Sequence, residues 1–295
     1  MELVAAKTIL QRNKSLGWFG CEYNMNIYRG CCHGCLYCDS RSDCYHLEDF
    51  DRVRAKKDAL RILRDDLARK AVKGVVATGA MSDPYNPFEA QHLLTRNALS
   101  LLDAYGFGVA IATKSALVCR DADILRDIAV HSPVLCKITL TTVDDALAAK
   151  VEPGAPSPTR RLAACEELAN QGVFCGFLLM PVLPFIEDDE AAVLALVRRA
   201  AAAGARFIYP SFGVTMRAGQ REYFLQGLDA AFPGEGYGQR YRSHFGNRYF
   251  CASPNARQLW QAFSQACAET GLLHEMLDIV RAYRQGRQTG QLSFL

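Results

Sequence analysis

Along the first two thirds of the chain, short wholly apolar runs alternate with longer stretches in which apolar residues recur at helical spacing. Asn24 to Tyr28 predicts a strand and leads into a Gly- and Cys-rich loop from Gly30 to Cys44. Leu60, Leu63 and Leu67 then predict a helix within the charged segment Asp49 to Lys73. The apolar run Gly74 to Ala80 ends in Met81-Ser82-Asp83-Pro84 and is followed by a helical stretch, Glu89 to Tyr105, and a second apolar run, Val109 to Thr113. The alternation continues with a helix near Ala122 to Ala129, a strand near Val134 to Thr141, a helix near Thr159 to Gln171 and a strand at Val173 to Met180. The helix of Asp188 to Ala203 and a strand at Arg206 to Pro210 complete it. Apolar runs separated by helices indicate an α/β chain with a parallel sheet of βα units, closed into a barrel or partial barrel. In such folds chemistry gathers at the C-terminal strand ends. The cysteine loop, Ser82-Asp83, Lys114 and Met180-Pro181 all fall there.

Beyond Pro210 the pattern changes to short helices rich in Arg, Tyr and Phe. This predicts a barrel with an N-terminal extension over residues 1–210 and a C-terminal helical cap and tail over residues 211–295. Half of the 295 residues are hydrophobic, enough for one large core. A net charge of +3 permits an anionic substrate without demanding one. No apolar run approaches the roughly 18 to 20 residues of a membrane span, and Met1 to Leu10 lacks a signal-peptide core, so the chain reads as soluble and cytoplasmic. Twelve cysteines without an export signal point to thiols used as ligands or redox groups rather than disulfides.

Their spacing is specific. Gly30-Cys31-Cys32-His33-Gly34-Cys35-Leu36-Tyr37-Cys38 contains Cys-x3-Cys-x2-Cys, which lets a tight loop aim Cys31, Cys35 and Cys38 at one centre. Three thiolates on a [4Fe-4S] cluster leave one iron open for a further ligand. A structural zinc site is the alternative, but such sites close with four ligands, usually in two separated pairs, and no second Cys pair follows. Neighbours in an extended loop point in opposite directions, so Cys32 is expected to pack away from the centre.

The loop, with an aromatic before its third cysteine, resembles the radical S-adenosylmethionine (SAM) superfamily signature. More narrowly, Tyr28 to Arg41, Thr78 to Glu89 with Ser82-Asp83-Pro84-Tyr85, Ala112-Thr113-Lys114, Glu152-Pro153-Gly154, Gly176-Phe177 and Met180-Pro181 resemble the spore photoproduct lyase-like (DNA repair photolyase-like) family over roughly residues 20 to 210. The resemblance implies a partial (βα)6 TIM-type barrel with parallel strands. It also implies a lyase- or oxidoreductase-type enzyme that cleaves S-adenosyl-L-methionine at the cluster to a 5′-deoxyadenosyl radical. It places Tyr37 near the adenine, Ser82 and Asp83 near the methionine amine, and Lys114 on the carboxylate or ribose side. Thr139 falls to the ribose hydroxyls and Met180 to the adenine edge. A carboxylate that wants a cation and an ammonium that wants oxygen acceptors agree with this set.

Two positions depart from the family. Where it carries a hydrogen-donating cysteine, this chain has Ala80, and where a tyrosine follows the last cluster cysteine it has Asp39. Cys119, Cys44 and Cys251 are the candidate replacement thiols, and Cys251, in Asn247-Arg248-Tyr249-Phe250-Cys251, is carried with Tyr37 as a catalytic candidate. From Arg206 onward ten Arg stand against six Asp plus Glu, interleaved with aromatics, which suits either a nucleic-acid groove or a helical surface with its aromatics turned inward. The expected substrate is a nucleic-acid base or DNA lesion. The alternatives are radical modification of a peptide or small metabolite, and a non-catalytic iron-sulfur protein that binds DNA. Expected partners are an external electron donor such as flavodoxin or ferredoxin, a partner radical SAM protein, and a bacterial sliding clamp, whose binding peptide Gln291 to Leu295 resembles.

Overall fold

The computed structural model describes residues 1–285. Six parallel strands follow one another in space as they do in the chain: β2 (Tyr23–Met25), β3 (Val75–Thr78), β4 (Gly108–Thr113), β5 (Val134–Thr139), β6 (Cys175–Leu179) and β7 (Ile208–Pro210). A further strand, β1 (Leu10–Arg12), pairs antiparallel with the outer edge of β2. The sheet is the partial barrel expected from the alternation. Its strands read as largely apolar runs because both faces are covered, with half-buried Asn24 on β2 and buried Lys137 on β5 as exceptions. The outer-face residues Val76, Val109, Ile111, Cys136, Ile138 and Phe177 join the main core beneath the helices. Their alternates Val75, Ala110, Leu135 and Leu178 join a second cluster on the concave face, with Phe19, Phe207, Ile279 and Tyr283.

The outer helices are α1 (Ala59–Ala68), α2 (Leu94–Ala104), α3 (Ala122–His131), α4 (Asp145–Val151), α5 (Pro158–Asn170) and α6 (Glu190–Ala202). The helix predicted over 49–73 is shorter, because Arg54–Lys56 pairs with Leu3–Val4 and Tyr28–Arg29 in a small sheet and Asp58 is left-handed at φ 55°. The one predicted over 89–105 breaks at Leu93, φ 53°. α4 was not foreseen. It is capped by Asp144, which accepts hydrogen bonds from the backbone N–H of Ala146 (2.8 Å) and Leu147 (3.1 Å), and it ends at Glu152.

The C-terminal part is not helical throughout. β8 (Gly213–Thr215) and β9 (Phe250–Ala252) form an antiparallel ribbon flanking α7 (Gln220–Ala231) and α8 (Tyr237–Phe245). Their inner residues Val214, Phe224, Leu228 and Tyr241 share a core with Leu36, Tyr37 and Leu183, so this layer sits over the cysteine loop. α9 (Ala256–Thr270) packs along α6 and places Leu259 and Phe263 in the main core. α10 (Met276–Arg284) closes the concave face from below, where the Tyr283 hydroxyl donates to Phe19 O (2.6 Å) and Arg284 pairs with Glu22 (2.9 Å). Among the described residues no helix is long and apolar enough to cross a membrane. The clamp-like peptide Gln291 to Leu295 lies outside the described residues.

Candidate active site

Two glycines shape the cysteine loop. Gly30 is left-handed at φ 82°, and a Cβ there would strike the carbonyl oxygens of Phe50 and Arg52; Gly34 is at φ 64° beneath Pro153. The loop is then clamped by its backbone. Cys31 N–H donates to Phe50 O (2.8 Å), Leu36 N–H to Val151 O (2.9 Å), and Gly154 N–H to His33 O (2.8 Å). The turn that follows α4 therefore grips the loop from the side opposite the strands.

Cys31, Cys35 and Cys38 all line one cleft of about 130 Å³ at the C-terminal strand ends, together with Tyr37, Ser82, Asp83, Lys114 and Thr139. Among the described residues no three His, Cys, Asp or Glu side chains close on one point at single-ion distances. Three thiols opening onto a shared cleft, beside oxygen acceptors and a cation, fit a four-iron cluster with one iron left for an amino-acid moiety. Burial pushes the Cys31 thiol up to about 11, and Cys35 higher still. Assembly of a cluster here releases those protons.

Behind the loop lies a buried charge network that sequence reasoning did not assign. The Tyr37 hydroxyl donates to one oxygen of Glu152, and Arg161 donates to the other. Glu152 is 0 % and Arg161 1 % exposed at the side chain, with the Lys114 ammonium 3.8 Å from Glu152. Arg161 also donates to Thr139 O (3.1 Å) and Pro156 O (2.7 Å), tying α5 to the end of β5. Burial alone would raise the Glu152 carboxyl, but Lys114 and Arg161 outweigh it and hold it below its ordinary value. Glu152-Pro153-Gly154 was visible as a motif. Its buried partner Arg161, nine residues on in the first turn of α5, carried no signal.

Asp83 is fixed by the strand next to its own. One oxygen accepts from Thr113 Oγ1 (2.7 Å) and Tyr85 N–H (2.8 Å), and the other from Lys114 N–H (2.8 Å), with His33 Nδ1 at 3.6 Å. Burial holds the His33 imidazole below its ordinary value, although Asp83 opposes this. Ser82 Oγ donates to Tyr28 O (3.0 Å). The structure thus gathers eight of the residues expected at the site.

It does not bring the other two to the cleft. Met180 is half-buried in the concave-face cluster, one residue past β6 and joined to Pro181 by a cis peptide. Cys251 alternates with exposed Phe250 and Ala252 on β9, so its thiol turns inward, fully buried beneath the ribbon and 3.8 Å from Arg248 O. Cys119 packs on the outer helical side, 3.4 Å from Ala164 O. Exposed Cys44 lies 3.4 Å from Arg217. Cys32 packs against the main core, as expected. Ala80 lines the cleft, and Asp39 instead accepts hydrogen bonds from Tyr45 (3.1 Å) and Thr215 (3.3 Å) and pairs with Arg217 (3.0 Å), linking the loop to the ribbon.

Comparison with known proteins agrees with this geometry. A family model described as the Radical SAM superfamily matches residues 25–197. An uncharacterized protein of Mycobacterium tuberculosis is 32 % identical over 237 residues, covering 78 % of this chain and 69 % of its own. One of Methanocaldococcus jannaschii is 31 % identical over 173 residues, 58 % of this chain and 64 % of its own. Among solved structures, spore photoproduct lyase complexed with dinucleoside spore photoproduct superposes with a TM-score of 0.65 at 17 % identity, covering 92 % of this chain and 80 % of that one. A radical SAM methyltransferase from Kitasatospora setae with cobalamin and a [4Fe-4S] cluster bound gives 0.57 at 11 % identity, over 89 % and 60 % of the respective chains. At these identities the likeness to solved structures establishes the fold alone.

Proposed function

The chain belongs to the radical SAM superfamily, and from that premise we propose that it directs its radical at a nucleic-acid base. It is an enzyme whose cofactors are a [4Fe-4S] cluster and SAM, and it takes electrons from an external donor. When bound, these cofactors supply a 5′-deoxyadenosyl radical able to take hydrogen from an unreactive carbon.

The chain's own part is placement. Cys31, Cys35 and Cys38 hold the cluster, and the Glu152 turn fixes the loop that carries them. Lys114 offers its ammonium to a carboxylate at the mouth of the cleft; burial opposes its charge, but Cys35 and Glu152 keep it protonated well above neutral pH. Asp83, already oriented by Thr113 and the Lys114 amide, offers an acceptor for the methionine ammonium, Tyr37 packs by the adenine and Thr139 faces the ribose. Ala80 puts a methyl group where the family's donor thiol is expected, so we read the reaction as lyase- or oxidoreductase-type chemistry that does not return hydrogen from that position.

One observation supports a nucleic acid as substrate. The interleaved aromatics divide: Phe224, Tyr241 and Phe245 are buried, whereas Tyr249 and Phe250 are 54 % and 44 % exposed on the ribbon, next in the chain to exposed Arg248 and with Arg217 donating to the Tyr249 hydroxyl (2.8 Å). Exposed rings among arginine forks suit bases and phosphates, and a base in duplex must leave its stack to reach the cleft. The test has two arms. Anaerobic reconstitution followed by dithionite and SAM yields 5′-deoxyadenosine, and a fully loaded cluster that yields none refutes the SAM chemistry. Oligonucleotide mobility shifts weaken with salt, and Arg248→Ala lowers the salt slope by about one; no shift at low salt refutes the nucleic-acid reading.

A further inference from the structure

Below the cleft, the concave face of the barrel carries polar groups that the chain leaves uncompensated. Lys137 lies on β5 two residues before Thr139, on the same face, and its whole residue is 1 % exposed. Its ammonium has no hydrogen bond or ion pair among the described residues and stands 4.7 Å from the Phe19 ring centroid. Burial depresses its pKa, against the opposing pull of the nearby Cys21 and Cys136 thiols.

Across the concave face from it, Asn24 on β2 lies between Tyr23 and Met25, and Asn26, just past β2, lies between Met25 and Ile27; those three enter the main outer core, which turns both asparagines to the concave face, and the Oδ1 atom of each is buried without a partner. The residues in register between and beside them are small: Ala77 beside Asn24, and Ala112 and Gly176 beside Lys137. Gly176 has no room for a side chain, since a Cβ would meet Phe207 O. Gly79, Ala112 and Thr139, on this same face, line the cleft above. A buried ammonium and two buried carboxamide oxygens, each unpaired, are costly unless something completes them.

We propose that Lys137, Asn24 and Asn26 form the recognition floor for the substrate, donating to a carbonyl oxygen and accepting from an adjacent N–H on the edge of a nucleobase that enters the barrel. The inference rests on the reading of a nucleic-acid base as substrate and names the residues that select it. A carboxylate would satisfy Lys137 and leave the Asn oxygens bare; an amine would do the reverse. The amide-type edge of a nucleobase satisfies both.

The test uses the reconstituted enzyme with SAM and four nucleosides, thymidine, cytidine, adenosine and guanosine, as calorimetric probes. At least one binds, and both Lys137→Met and Asn24→Ala weaken it tenfold or more while SAM affinity stays within twofold. Lys137→Met also raises the Tm of the nucleoside-free protein by about 2 °C or more, because an unpaired buried charge has been removed. Nucleoside binding that both variants leave unchanged, no nucleoside binding at all, or a lower Tm for Lys137→Met overturns the floor. An oligonucleotide shift that persists in any of those cases leaves the broader nucleic-acid reading standing, and its loss in wild type refutes that reading separately.

Discussion

Replacing Glu152 with alanine should be among the most damaging single changes available to this chain outside the three cluster cysteines. Glu152 is wholly buried and answers three groups at once: the Arg161 guanidinium, the Tyr37 hydroxyl and, at 3.8 Å, the Lys114 ammonium. Glu152→Ala leaves Arg161, at 1 % exposure, with only the carbonyls of Thr139 and Pro156. Stranding one partner of a buried pair costs about 3–5 kcal/mol. For a chain of this size that is a fall in Tm of roughly 5–8 °C. The assay is urea unfolding of the metal-free protein followed by fluorescence, with Tm as a second probe. The discriminating measurement is the double variant Glu152→Leu/Arg161→Met, which removes both charges and should recover at least about half of the loss, since apolar replacement of a buried pair is often neutral. A Glu152→Ala protein within about 1 kcal/mol of wild type would refute this account, as would a double variant no better than the single one.

Three further outcomes follow from the same geometry. Cys31→Ala, Cys35→Ala or Cys38→Ala should each lose the four-iron chromophore on anaerobic reconstitution, while Cys32→Ala, packed against the main core, should keep it; iron analysis checks this. Burial, with Glu152 nearby, pushes the Glu187 carboxyl up to about 8 even though Leu183 N–H and Thr141 donate to it. It therefore holds its proton in the fold and loses it on unfolding between its ordinary 4.5 and about 8, so its contribution to stability is full below that window and falls away as pH rises through it, by at most roughly 5 kcal/mol. Unfolding of Glu187→Gln across pH 5 to 9 should lack that slope. Asp39→Ala, by contrast, breaks a pair with Arg217 that is about a third exposed, and should change stability by no more than about 1 kcal/mol in urea titration.

The parallel sheet was legible because its strands are largely apolar and covered on both faces, and the metal site because loop ligands lie close in sequence. What escaped were features set by distant partners. β8 and β9 are three residues each and pair across two intervening helices, so Cys251 read as a candidate donor thiol in a helical cap, whereas strand alternation turns it inward. Arg161 read as one more charge on a helix, since only the fold discloses a carboxylate beneath it. Asn24 and Asn26, inside the segment predicted as a strand, carried no signal of their own, since only the fold shows their Oδ1 atoms buried without partners.

The floor of the barrel joins segments far apart in the sequence: Phe19 and Glu22 are held there by Tyr283 and Arg284. During synthesis, then, the sheet's concave side stays uncovered until α10 has left the ribosome, long after every strand has been made. A stop codon anywhere before Met276 would release a protein with its cysteine loop complete and Phe19, Leu135 and Phe207 facing water, a species marked for aggregation or degradation. α10 acts as a seal: the interior in which a radical is handled is closed off only once Met276 to Arg284 has been made.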